Sequence, residues 1–126
     1  MKTRYALGLA AFSAVAGAGL GQQLQAQVKP RAYVIGEAEI TDPATFKNYQ
    51  DGTATAVPQA GGRFIVGNGR TFVINGAPPQ RFSVIEWSSF EEAQAFYESD
   101  VYNNLVPDRD KGAKLRAFLV EGRPAQ

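Results

Sequence analysis

Apolar segments alternate along the chain with polar, turn-forming residues. Residues 32–40, AYVIGEAEI, have the β-branched and aromatic composition of a strand. The strand ends at TDP, where Thr41 or Asp42 can cap a helix. The pattern therefore predicts a strand followed by a helix over residues 43–60. We expect this helix to fray near Pro58, because glycine, threonine and proline weaken its second half.

The rest of the chain also alternates between apolar segments and polar, turn-forming residues. GGRFIVGN at 61–68 and QRFSVIEW at 80–87 predict strands, and RTFVING at 70–76 predicts an extended piece between them. SSFEEAQAFYES at 88–99 has the spacing of a capping box followed by one apolar helical face. After a short helical connection, RAFLVEG at 116–122 predicts a last strand. The order β-α-β-β-α-β predicts an α+β, ferredoxin-like fold, with both helices on one face of a four-stranded antiparallel sheet.

The predicted strands are apolar on both faces. Alternation along the first strand puts Tyr33, Ile35 and Glu37 on one face, and Val34 and Ala38 on the other. The helices cover only one face, so the other face needs a second cover. The pattern therefore predicts a homodimer that packs sheet to sheet.

The N-terminal segment predicts export. Lys2 and Arg4 precede residues 5–21, which carry no charge, and residues 1–27 together are typical of a signal peptide or of an uncleaved N-terminal anchor. The prediction is one domain over residues 28–126, in the periplasm or another exported compartment. Anchoring to the inner membrane through the uncleaved segment is the alternative, and we expect no other membrane contact.

Composition excludes much of the usual chemistry. The chain of 126 residues has no His and no Cys, which removes imidazole bases, thiolate nucleophiles, disulfides and the common zinc and haem ligands. Its carboxylates are scattered, so we expect no metal site and no bound cofactor. The 13 basic residues nearly balance the 12 acidic ones, and no basic tract is present, so nucleic acid is not an expected partner.

A glycine-rich stretch, GGRFIVGNGRTF at residues 61–72, raises the question of nucleotide binding. A phosphate-binding loop needs Lys and Ser or Thr after its last glycine, but Asn68 and Gly69 follow Gly67 here. The dinucleotide fingerprint also fails, because Phe72 stands where a small residue is needed. The glycines therefore indicate the corner, bulge or turn of a sheet.

Several motifs, in order, are similar to those of one known family. AYVIGEAEITDP, GGRFIVGNG, PPQRFSVIEWSSFEEAQAFYES and RAFLVEG resemble the family of domain of unknown function 1330 (DUF1330) over about residues 30–122. The leader ending in LQAQ is similar to that of the exported branch. The resemblance implies a ferredoxin-like subunit that pairs into a dimeric α+β barrel. It implies no particular reaction.

Two glutamates are the catalytic candidates. Glu86 and Glu37 both interrupt strands that are otherwise fit for burial. If both point into the barrel, each raises the pKa of the other, and one can serve as a general base. The alternative is a structural salt bridge, for instance to Arg63, Arg81 or Arg116.

Five other residues are candidates for ligand binding. Arg63 and Arg81 stand at the beginnings of strands, where a guanidinium either clamps a carboxylate or enolate or is solvated and paired. Tyr33, Trp87 and Tyr102 either line a pocket or belong to the core.

These observations leave three hypotheses about function. The first is an exported dimeric barrel that binds a small, mostly apolar molecule. The second is a cofactor-independent enzyme of monooxygenase or isomerase type, an idea that rests on analogy between folds. The third is a dimer with a structural or interaction role and no ligand.

Overall fold

The computed structural model describes residues 29–124. The signal peptide or anchor predicted over residues 1–27 therefore lies outside the described residues. Among the residues that are described, no helix is both long enough and apolar enough to cross a membrane.

Four strands form one antiparallel sheet. They are β1 (Ala32–Ile40), β2 (Arg63–Gly67), β3 (Arg81–Trp87) and β4 (Ala113–Glu121). Their order across the sheet is β2-β3-β1-β4, so β1 and β3 are the central strands. Every neighbouring pair is antiparallel.

Four helices connect the strands. They are α1 (Pro43–Ala60), α2 (Phe90–Tyr97), α3 (Asp100–Asn103) and α4 (Val106–Gly112). With α2 to α4 counted as one helical connection, the order is β-α-β-β-α-β. The α+β fold predicted from the sequence is confirmed.

Both ends of α1 have recognisable caps. The Asp42 carboxylate accepts the backbone N–H of Thr45 at 3.2 Å, so Asp42 rather than Thr41 caps the helix. Hydrogen bonds from the side chain and backbone of Thr45 lower the pKa of Asp42. The fraying expected near Pro58 is wrong: α1 continues to Ala60 and closes at Gly61, whose φ of 104° is left-handed.

Two other boundaries differ from the sequence prediction. Residues 70–76 form no strand, because the chain between β2 and β3 bends at Asn68 and Gly76, which both have positive φ. The last strand begins at Ala113 rather than Arg116. Pairing of residues 113–115 with β1 extends the strand over residues that the sequence prediction assigns to the preceding helical connection.

The core lies between the sheet and the helices. Trp87 on β3 is completely buried and packs against Phe96 and Tyr97 of α2, with ring centroids 5.2 and 5.9 Å apart. Val57, near the end of α1, is also completely buried. These contacts place the C-terminal ends of α1 and α2 over the same end of the sheet.

Within residues 29–124, no helix covers the other face of the sheet. Register places Phe82 of β3, together with Phe118 and Val120 of β4, on this outer face, where they are 40%, 58% and 44% exposed. Ile35 and Val84 lie between them as half-buried neighbours. The outer face therefore carries an exposed apolar patch, as the alternation pattern predicts, and charged side chains such as Glu37 and Arg116 share this face.

We expect Gly62→Ala to destabilise the protein. A Cβ atom at Gly62 would lie 2.7 Å from both Trp87 Cζ2 and Val57 Cγ1, in a part of the core that has no free space. Overpacking of this kind costs about 1–3 kcal/mol of unfolding free energy. Urea denaturation followed by Trp fluorescence measures the loss.

Gly67→Ala is the matched control, because a Cβ atom there meets nothing within 4 Å. Its effect should stay within about 0.5 kcal/mol. Equal losses from the two substitutions would contradict the contacts assigned to Gly62.

Candidate functional site

A cavity of about 490 Å³ lies between the sheet and α1. All four strands and three of the helices contribute to its wall, which is more apolar than polar. The wall consists of Val34, Gly36, Glu37, Ala38, Phe46, Tyr49, Gln50, Thr53, Ala54, Val57, Phe64, Ile65, Val66, Gly67, Asn68, Arg81, Phe82, Ser83, Ile85, Tyr97, Tyr102, Leu115 and Ala117.

The cavity exists because small residues line up across the sheet. Gly67 pairs with Ser83, Ser83 pairs with Gly36, and Gly36 pairs with Ala117. This row, which we call the small-residue row, crosses all four strands, and all four residues border the cavity. Side chains of this size cannot fill the space beneath α1, so a gap remains.

Phenolic hydroxyls form a polar corner of the cavity. The Tyr49 and Tyr102 hydroxyl oxygens are 2.9 Å apart, and Arg109 Nη1 donates to the Tyr102 oxygen at 3.2 Å. The Arg109 guanidinium also lies 5.9 Å from the centre of the Tyr102 ring. The sequence candidate Tyr102 thus has Tyr49 and Arg109 as its hydrogen-bond partners, and Arg109 is the member of this group that the sequence did not indicate as a ligand-binding residue.

Burial controls the protonation of this corner. Burial, followed by the nearby Tyr102, raises the pKa of Tyr49 well above its usual value. Burial also raises the pKa of Tyr97. Burial by itself lowers the pKa of Arg109, but hydrogen bonds to Asp110 and Tyr102 outweigh that effect and raise it. Tyr49 and Tyr97 therefore keep their protons, and remain hydrogen-bond donors, above the ordinary tyrosine pKa of about 10.

Trp87 lies behind the cavity rather than on its wall. Its indole Nε1 and the Tyr97 hydroxyl are both buried, and neither makes a hydrogen bond of good geometry within the described residues. Burial without a partner costs about 1–3 kcal/mol for such a group. The structure gives Trp87 a packing role at the end of the sheet.

Glu86 lies on the outer face of the sheet and is bound by two arginines. Its carboxylate oxygen Oε1 is 2.9 Å from Arg63 Nη2 and 3.3 Å from Arg31 Nη1. The Glu86 side chain is only 13% exposed, whereas both guanidinium groups are largely exposed. Of the two roles that the sequence leaves open for Glu86 and Arg63, this geometry corresponds to the salt bridge.

The remaining candidates fall on different sides of the sheet. Tyr33 and Glu37 lie on the outer face of β1, where Tyr33 is the register partner of Glu86. Arg81 lies on the face towards the helices and borders the cavity. The structure thus brings Arg81 and Tyr102 to one cavity and places Tyr33, Arg63 and Glu86 elsewhere.

Metal coordination has no support in the described part of the chain. No group of three or more Asp or Glu side chains within residues 29–124 lies close enough together to hold a metal ion.

Sequence comparison matches residues 31–123 to the family described as a domain of unknown function, DUF1330. The chain belongs to this family. The match spans every strand and helix described above, so the resemblance carried by the sequence motifs is confirmed. No curated protein matches the DUF1330 chain.

Solved structures share the fold at low sequence identity. A protein of unknown function from Rhodopseudomonas palustris is 11% identical, with a TM-score of 0.62 over 85% of this chain and 94% of that chain. SnoaB, a cofactor-independent oxygenase from Streptomyces nogalater, is 12% identical, with a TM-score of 0.54 over 76% of this chain and 96% of that chain. At such identities the likeness establishes the fold alone.

We expect the effect of Tyr49→Phe on stability to depend on pH. At about pH 8 the substitution removes the hydrogen bond to Tyr102 and should cost about 0.5–1.5 kcal/mol. Above the ordinary tyrosine pKa of about 10, the unfolded wild-type chain loses the Tyr49 proton that the folded protein retains, so wild-type stability falls as pH rises. Phenylalanine has no such proton. The difference in unfolding free energy between the wild type and Tyr49→Phe should therefore shrink by about pH 11.

Urea denaturation of both proteins across this pH range provides the measurement. A difference that stays constant with pH would contradict the raised pKa of Tyr49.

Proposed function

We propose that this DUF1330 protein is an exported homodimer that binds a small, mostly apolar molecule in the cavity between its sheet and α1. The observation that carries the proposal is the cavity itself. Its volume of about 490 Å³ falls within the range of about 300–1,000 Å³ that is typical of small-molecule sites. An apolar wall with a few convergent polar groups is also typical of such sites.

The placement of the carboxylates favours binding over acid–base catalysis. The alternative is an enzymatic role, because SnoaB has this fold and is a cofactor-independent oxygenase. That role requires a base within reach of the substrate. Glu86 is held by Arg63 and Arg31 on the outer face, with the sheet between its carboxylate and the cavity.

The apolar outer face supports the homodimer. A soluble monomer rarely exposes a contiguous apolar patch of this kind. A second copy that packs through the same face would cover Phe82, Phe118 and Val120 symmetrically, as expected of a two-fold dimer. Pairing of two such sheets produces the dimeric α+β barrel expected from the family resemblance.

We expect the domain to be a dimer in solution and Phe118→Glu to convert it to a monomer, because a charge would be buried at the centre of the contact. Light scattering coupled to size-exclusion chromatography should show the mass fall by half. Val101→Glu is the matched control: Val101 is equally exposed at 57% but lies on α3, away from the sheet. A monomeric wild type, or an equal effect of the two substitutions, would contradict the proposed dimer.

We expect Ala54→Phe to abolish binding in the cavity. Ala54 is exposed on α1 and borders the cavity, so a phenyl ring there fills ligand space. Isothermal titration with the neutral probe 2-naphthamide should show a loss of about ten-fold or more in affinity. Ala44→Phe, also exposed on α1 but outside the cavity wall, should bind like the wild type.

Native mass spectrometry of protein purified from its own host complements the titration. A retained small molecule that disappears in Ala54→Phe supports the proposal. If Ala44→Phe and Ala54→Phe behave alike towards every ligand, the cavity is not the binding site.

A further inference from the structure

One positive charge borders the cavity. Among its wall residues Arg81 is the cation, and its side chain is half-buried. Alternation along β3 places Arg81 on the same face as Ser83 and Ile85, and its register partner on β1 is the buried Ala38. The guanidinium therefore lies on the cavity side, two residues along β3 from the small-residue row.

Within the described part of the chain, the hydrogen-bond partner of the Arg81 side chain is neutral. Its Nη1 donates to the Asn68 side-chain oxygen at 3.0 Å. The guanidinium groups of Arg63 and Arg109 are instead paired with carboxylates. None of the ion pairs formed among residues 29–124 includes Arg81. Because a guanidinium has five N–H donors, the Asn68 bond leaves most of them for a ligand.

The Asn68 bond also holds the arginine in place. Asn68 follows β2 directly and has a φ of 50°, a left-handed conformation that is uncommon for a residue other than glycine. Its hydrogen bond joins this bend to the first residue of β3. A guanidinium held in this way loses little side-chain freedom when a ligand binds, which favours affinity.

The acidic residue of the cavity wall does not neutralise Arg81. Glu37 borders the cavity, but alternation along β1 directs its side chain to the outer face, where its register partners are Phe82 and Arg116. The sheet therefore separates the Glu37 carboxylate from the Arg81 guanidinium. The net charge presented to a ligand inside the cavity is positive.

We infer that the ligand is an amphiphilic anion, with an apolar body beneath α1 and one carboxylate bound by Arg81. This inference rests on the proposed function and adds a chemical class to it. A guanidinium matches a carboxylate in both charge and planar geometry, and it binds one through two parallel hydrogen bonds. An apolar wall strengthens the attraction because it lowers the local dielectric constant.

Two probes of equal shape test the charge preference. In 2-naphthoate and 2-naphthamide the same ring carries either a carboxylate or a neutral amide. Isothermal titration of the wild-type domain at neutral pH should give a dissociation constant at least about ten-fold lower for the naphthoate. Arg81→Met should abolish this preference and change the affinity for the amide by less than about three-fold.

Arg63→Met is the matched control, because Arg63 also begins a strand but binds Glu86 on the outer face. It should keep the full preference for naphthoate. Arg81→Lys retains the charge without the planar fork, should keep only part of the preference, and provides a second variant if Arg81→Met does not fold.

The outcomes separate the inference from the proposed function. Equal affinities of the wild type for the two probes, or a preference that survives in Arg81→Met, would overturn the inference and leave the cavity as a site for neutral molecules. Failure of the wild type to bind either probe would contradict the proposed function, and the inference with it.

Discussion

The absence of side-chain volume along one row of the sheet is the constraint on which the rest of the molecule depends. Gly67, Ser83, Gly36 and Ala117 are in register across four strands, so the middle of α1 has nothing large beneath it. The aromatic packing around Trp87 closes one end of the layer. The space left beneath the middle of α1 is the cavity, and the packed aromatic side chains close it at one end. The polar groups of the cavity wall lie around this space.

The same row shows why the sequence predicts the fold better than the site. Strand composition and alternation are local properties, and they identify β1, β3 and the apolar character of both sheet faces. Each small residue is unremarkable within its own strand, and only the pairing register reveals that Gly36 stands between Ser83 and Ala117. Register depends on contacts between distant segments, which a single sequence does not display. Similarly, a salt bridge for Glu86 is foreseeable, but the participation of Arg31 depends on where the chain enters the sheet.

Charged side chains are arranged differently on the two faces of the sheet. On the outer face, the Glu86 carboxylate is paired with the exposed guanidinium groups of Arg31 and Arg63 beside an apolar patch. On the inner face, the side-chain partner that the described residues provide for Arg81 is the neutral amide of Asn68. Pairing a carboxylate with arginines makes a surface compatible with burial. Leaving an arginine without a carboxylate makes a surface suited to an anion.

The side chains that face the cavity donate hydrogen bonds but do not act as bases. Tyrosines keep their protons at neutral pH, burial raises the pKa of Tyr49 and Tyr97 further, and a guanidinium does not lose its proton in a protein. The cavity wall therefore offers several donors of hydrogen bonds, while Gln50 and Asn68 contribute amide oxygens that accept hydrogen bonds but are not bases. The carboxylate of Glu37 lies across the sheet from Arg81. A site that donates hydrogen bonds is suited to holding an oxygen-bearing molecule, and this arrangement supports the proposal of a binding protein over that of an enzyme that removes a proton.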